Sequence, residues 1–242
     1  MKLWVNIAFH YKEHRLPYLN KVIDSILQIP SEETRIIVNS NEAFECKVPV
    51  HQILGMTNNW DLTWAHKLYL NDFLKSDFTH FVYTEDDHVL TPELMDYWIT
   101  NRELMKSKGF LPGMHRVEYN NNNVYSVDCT HKQQFKEVVI DGKRFASLQQ
   151  PYQGLMVMDR ELVEQHVKSK SYTYTTCSYR FGYAESANSE YIYDDVPPGF
   201  VHRLLVPIDN FSECWIHHCA NNYCTQPGTA HGKLPIGEVL WQ

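Results

Sequence analysis

The sequence predicts one α/β domain, with a mainly parallel, helix-flanked sheet in its first half and a smaller antiparallel extension in its second. Three observations carry that expectation. Apolar strand-like and helix-like stretches alternate from Leu3 to Leu94, the pattern of a parallel sheet with crossover helices. Of the 242 residues, 43% are hydrophobic, enough for one sizeable core. After Phe110 the texture changes to short strand-like runs separated by turn residues.

Leu3 to Phe9 reads as a buried first strand. Leu16 to Leu27 follows with apolar residues at Leu16, Leu19, Val22, Ile23, Ile26 and Leu27, one face of a helix. Thr34 to Asn39 is a second strand, stopped by Asn39-Ser40-Asn41, and Val48 to Leu54 a short third. The periodicity then predicts a long helix over 60–75, capped by Asn58 or Asn59. Thr79 to Thr84 is a strand leading directly into Glu85-Asp86-Asp87. Thr91 and Pro92 open the next helix as N-cap and first helical residue, where the missing proline N–H is harmless. Phe110 to Tyr119, Asn123 to Cys129 and Gln134 to Ile140 read as strands around the Asn120–Asn123 loop and the Asp141-Gly142 turn. Leu155 to Met158 is a further buried strand, and Asp159 caps a helix reaching Lys168. The tyrosines at 172, 174, 179, 183, 191 and 193 show no amphipathic period and read as loop with short helix.

A net charge of -7 and a pI near 6.0 exclude a phosphate-backbone binder, which needs clustered Lys and Arg. The segment Met1 to His10 turns polar too soon for a signal sequence, and no run reaches the roughly 18 apolar residues of a membrane span. The expectation is a soluble, cytoplasmic protein without a transmembrane segment. The six cysteines, Cys46, Cys129, Cys177, Cys214, Cys219 and Cys224, form no C-x-x-C pair and read as reduced thiols. Cys219 and Cys224 stand close to His217, His218 and His231, so a zinc-dependent hydrolase is an alternative reading. A non-catalytic carbohydrate-binding protein is another.

The chemistry concentrates at Glu85-Asp86-Asp87. Three consecutive carboxylates raise one another's pKa unless positive charge neutralises them. Hard oxygen donors on a short turn suit Mn2+ or Mg2+, with a substrate's phosphates completing the shell. The strand before them and the helix after them place the triplet at the carboxyl edge of a sheet, where open α/β folds bind ligands.

In this respect the chain resembles the GT-A glycosyltransferases, whose Asp-x-Asp motif ends a strand of a nucleotide-binding sheet. Tyr83-Thr84-Glu85-Asp86-Asp87 is similar to that motif, with Glu in the first acidic position. The resemblance covers roughly the first 120 residues. It implies a single domain over 1–242, with a nucleotide- and metal-binding half over 1–120 and an acceptor-binding half over 121–242. It implies further that Asp87 and Glu85 hold Mn2+ or Mg2+, with Asp86 a rival for either role. Phe9, His10 and Tyr11 would receive the nucleotide, together with Asn39 and with Lys67 on the helix before the acidic strand. His115 and Arg116 would line the donor-sugar pocket with Gln153 and Gly154, although Arg116 can instead pair with Glu118 or Glu103. Trp215 and Tyr152 would stack on sugars. A carboxy-terminal histidine, His217 or His218, would join the metal; in a strand the two point to opposite faces, so only one would reach it.

The implied activity is transfer of a sugar from a nucleoside diphosphate donor to a hydroxyl of a glycan or glycoconjugate, with inversion favoured. Inversion requires a general base. Glu185, in Gly182-Tyr183-Ala184-Glu185, is the first candidate, with Asp195 and Asp194 its rivals. A sugar-nucleotide pyrophosphorylase would open with a Gly-rich phosphate loop where this chain has Phe9-His10-Tyr11-Lys12.

Overall fold

The computed structural model describes residues 1–149, 154–172 and 182–240, without the side chain of Tyr183. In chain order, β1 (Lys2–Phe9) is buried along nearly its whole length. Its near-continuous apolar run is that of a central strand covered on both faces. The helix α1 (Leu16–Leu27) has the predicted ends and buries Leu19, Val22, Ile23 and Ile26 of the predicted face, whereas Leu27, at its last turn, is exposed. Strands β2 (Glu33–Ser40) and β3 (Val50–Gln52) follow, the latter shorter than the 48–54 expected.

The long helix expected over 60–75 is instead a 3-10 helix, Asn59–Tyr69, continuing into α2 (Leu70–Lys75). The amphipathic reading fails because Leu62 through Lys67 are all buried, so no single stripe faces the core. Side chains follow the tighter pitch: Thr63 Oγ1 donates to the Trp60 carbonyl at 2.8 Å and His66 Nδ1 to the Thr63 carbonyl at 2.8 Å, each three residues back. Asn58 caps the segment, and Asp61 completes a capping box.

Strand β4 (His80–Glu85) ends at the acidic triplet, and β5 (His88–Val89) follows. Helix α3 (Pro92–Lys106) starts as expected, with Thr91 Oγ1 accepting from the Leu94 N–H at 3.2 Å. The strand expected over 110–119 is broken into β6 (Leu111–Pro112) and β7 (His115–Asn120). The break comes at Gly113, where a Cβ would lie 3.0 Å from Val206 Cγ1 and 3.1 Å from the Leu205 carbonyl oxygen. Asn121 and Asn122, both at positive φ, turn the chain into β8 (Asn123–Ser126). Asp141 and Gly142 do the same between β9 (Lys136–Ile140) and β10 (Lys143–Ser147). The turn was legible in the sequence, but its second strand was not. Strand β11 (Met156–Asp159) leads into α4 (Arg160–Lys168), capped by Asp159 Oδ1 accepting from the Leu162 N–H at 2.8 Å. The remaining elements are α5 (Tyr183–Ser189), β12 (Leu204–Pro207), β13 (Trp215–His218), α6 (Asn222–Thr225) and β14 (Leu234–Pro235).

The chain forms two compact units: Met1–His88 with Gly154–Asp194, and Val89–Gln153 with Asp195–Gln242. The first holds a sheet of order β11-β4-β1-β2-β3, parallel except at β11. The second holds a sheet of order β6-β12-β10-β9 and another containing the order β14-β8-β7-β13, each mixing parallel and antiparallel pairs. The protein is thus a mixed α/β fold with helix-flanked sheets. Among the described residues no helix is long and apolar enough to cross a membrane.

Candidate active site

The register of the first sheet makes its ligand edge. Ala8 of β1 stands beside Glu85 of β4, Phe9 beside Ser40, and Ser40 beside Gln52. The four parallel strands therefore finish together, and the residues after them, His10-Tyr11, Asn41 and Asp86-Asp87, gather at one carboxyl edge. Backbone groups freed at strand ends and the loops beyond them make such edges binding sites.

Asp86 and Asp87 are buried there, 6% and 4% exposed. The guanidinium of Arg15, which ends the short 3-10 helix before α1, holds both. Its Nε donates to Asp86 Oδ2 at 2.7 Å, and its Nη2 to Asp86 Oδ1 at 2.9 Å and to Asp87 Oδ2 at 2.7 Å. Such a fork is a strong, directional anchor for carboxylates. Burial, with the neighbouring Asp87 charge, raises the Asp86 carboxyl to about 6 against the opposing pull of Arg15. Arg15 itself is held firmly charged: burial opposes this, and the two aspartates outweigh it. Part of the positive charge that the triplet requires thus comes from within the chain. No motif signalled Arg15, which lies 71 positions from Asp86; its one cue was a place just after the β1 loop.

The predicted nucleotide residues divide in two. Tyr11 is half-buried at the edge, its N–H donating to Asn41 Oδ1 at 2.7 Å. Its ring lies 5.2 Å from that of half-buried Phe44, which also packs at 5.2 Å on Phe9. Phe44 was missed in the sequence because it stands outside any element, in the loop after β2. Phe9 is fully buried beneath this pair, and His10 is half-buried beside it. Asn39 is buried and turned inward: its Nδ2 donates to Asn6 Oδ1 at 3.1 Å and its Oδ1 accepts from Tyr69 Oη at 2.9 Å. Lys67 is buried too, its ammonium 4.1 Å from the Trp64 ring centroid and donating to the Ser171 carbonyl at 2.9 Å.

Glu185 lies half-buried in the first turn of α5, in the same unit. Its carboxylate folds back on the chain, since a Cβ at Gly182 would lie 2.5 Å from Oε2. Asp194 Oδ2 accepts from Ser171 Oγ at 2.6 Å, whereas Asp195, at φ 51, begins the returning segment of the second unit.

The remaining candidates belong to the second unit. His115 is buried, with Nε2 2.8 Å from Ser126 Oγ, and burial lowers its pKa. Arg116 is held by Asp128: its Nε donates to Asp128 Oδ1 at 2.7 Å and its backbone N–H to Oδ2 at 2.9 Å. His217 and His218 alternate along β13 as expected, His217 half-buried and His218 buried. His218 Nδ1 lies 2.6 Å from Oε1 of fully buried Glu118, which also accepts from the backbone N–H groups of Tyr223 and Cys224. Burial works against the Glu118 charge, yet these bonds hold it below the usual carboxylate range. Cys224 donates its thiol to the Asn221 and Tyr119 carbonyls, and burial pushes it up to about 11. Among the described residues no ligand cluster brings Cys219 or Cys224 together with the two histidines. The five described cysteines are free thiols. Cys177, Tyr152, Gln153, Tyr174 and Tyr179 lie outside the described residues.

No protein-family model matches the chain, and no curated protein matches it. Among solved structures, S. aureus TarS 1-349 aligns at TM-score 0.40 and 11% identity, over 69% of this chain and 49% of its own. CMP:2-keto-3-deoxy-manno-octonic acid synthetase complexed with CTP aligns at TM-score 0.39 and 11% identity, over 69% of this chain and 78% of its own. A further S. aureus TarS structure aligns at TM-score 0.41 and 10% identity, over 69% and 30%. The chain spans about half the length of the first of these.

Proposed function

We propose that the chain is a metal-dependent glycosyltransferase, moving a sugar with inversion from a nucleoside diphosphate donor to a hydroxyl of a glycan or glycoconjugate. The observation that carries this reading is the in-register ending of four parallel strands at buried Asp86 and Asp87. The half-buried Tyr11 and Phe44 rings stand at the same edge. A nucleobase stacks on aromatic faces, and the Tyr11–Phe44 pair offers one. The carboxylates of Glu85, Asp86 and Asp87 are hard donors of the kind that hold Mn2+ or Mg2+, and burial of Asp86 and Asp87 leaves them better satisfied by added positive charge. When bound, the cation would neutralise the leaving diphosphate. Arg15 orients the two aspartates and offers a guanidinium for phosphate oxygens. Glu185 takes the acceptor hydroxyl's proton as the new bond forms.

Calorimetric titration of nucleoside diphosphates, with Mn2+ and with chelator, tests this on the wild-type chain, Asp87→Ala and Tyr11→Ala. The expected result is metal-dependent binding lost in Asp87→Ala and weakened about 5- to 150-fold in Tyr11→Ala, the worth of one stacked base. Absence of nucleotide binding under either condition would sink the reading.

A further inference from the structure

We propose that His88, to which the reading above gives no role, is a nitrogen ligand of the divalent cation at Asp87. The proposal rests on the metal-dependent reading and extends it.

The His88 ring is completely buried. Its Nδ1 lies 3.1 Å from the carbonyl oxygen of Gly154. A carbonyl can only accept, so Nδ1 carries the proton, and in the neutral ring Nε2 bears the lone pair. That Nε2 lies 3.7 Å from Asp87 Oδ1, while Oδ2 of the same carboxylate faces Arg15 at 2.7 Å. Two donors each about 2.1 Å from one ion stand roughly 3–4 Å apart, which is the separation found.

Gly154 is built around this ring. It has φ +50, and a Cβ there would sit 2.4 Å from His88 Cε1 and 3.0 Å from Nδ1. The backbone thus presses on the imidazole while its carbonyl sets the tautomer, the way outer-shell groups orient metal-binding histidines. A mixed set of carboxylate oxygen and imidazole nitrogen shifts preference from Mg2+ towards Mn2+.

Pulsed electron paramagnetic resonance of Mn2+ added to the full chain reads nitrogen coordination directly, without turnover. Three proteins are compared: wild type, His217→Gln/His218→Gln and His88→Gln. The expected result is nitrogen modulation of the Mn2+ echo in wild type, its persistence without His217 and His218, and its loss in His88→Gln with affinity reduced tenfold or more. Mn2+ bound without nitrogen modulation in His217→Gln/His218→Gln overturns the assignment while the metal reading stands. Modulation undiminished in His88→Gln does the same. Should His88→Gln fail to fold, the histidine pair variant decides alone, and Gly154→Ala, which keeps the imidazole but displaces it, is expected to weaken the coupling. Failure of Mn2+ to bind wild type at all overturns the metal reading and this ligand with it.

Discussion

Arg15→Met should destabilise the protein far more than loss of a surface ion pair. The Arg15 side chain is 25% exposed, but the side chains of its partners Asp86 and Asp87 are only 9% and 5% exposed. Three hydrogen bonds of 2.7–2.9 Å are removed at once, taking the guanidinium from two adjacent buried carboxylates. Breaking a buried pair by deleting one partner costs about 3–5 kcal/mol. The solvent contact of Arg15 places this case near the lower end, about 3 kcal/mol. For a chain of this size that corresponds to a fall in Tm of about 6–12 °C. Thermal unfolding followed by circular dichroism at pH 7.5 measures it. Asp86→Asn in the Arg15→Met background removes one stranded charge and should recover part of the loss. Arg15→Lys keeps the charge but not the fork and should fall between. A fall below about 2 °C for Arg15→Met, the scale of a surface pair, would refute the reasoning.

Two further outcomes are expected. Arg160 donates to the carbonyls of Phe73, Leu74, Ser76 and Phe78 around the end of α2; Arg160→Met should cost about 2–3 kcal/mol, read as a lowered midpoint in urea. Burial lowers the pKa of His166 from 6.5 to about 3, so below pH 6.5 the unfolded chain takes up a proton that the folded one refuses. Stability contributed there is present above pH 6.5 and is lost as the pH falls towards 3, by about 2 kcal/mol at pH 5. Asp86, raised to about 6, works the other way, gaining folded-state protons as the pH falls through 6. The difference between wild type and His166→Gln in urea midpoints from pH 7.5 to 5 isolates the histidine; parallel curves would show that His166 is not the source.

The first sheet and its acidic edge were legible in the sequence because their signals are local. A continuous apolar run specifies a buried strand, and a 3.6-residue stripe specifies α1 to its ends. Thr91 and Asp159 announce their helices through side-chain caps within three residues. Asn121-Asn122 and Asp141-Gly142 announce turns because few other residues tolerate positive φ. The 3-10 segment at 59–69 was not legible, since burial on every side leaves no stripe to read. Nor was the break at Gly113, which depends on Leu205 and Val206 lying against it.

By itself, then, the sequence determined an α/β chain with three carboxylates at the end of a buried strand. Only the tertiary structure decided what surrounds them. It brought Arg15 onto Asp86 and Asp87, Phe44 against Tyr11, and the Gly154 carbonyl onto His88, 66 positions away in the chain. It also turned Asn39 and Lys67 inward, and divided the chain into two units by returning Gly154–Asp194 to the first. The physical reason is that periodicity and capping record each residue's neighbours along the chain, whereas the charge, tautomer and burial of a site are set by groups that meet only once the strands have paired.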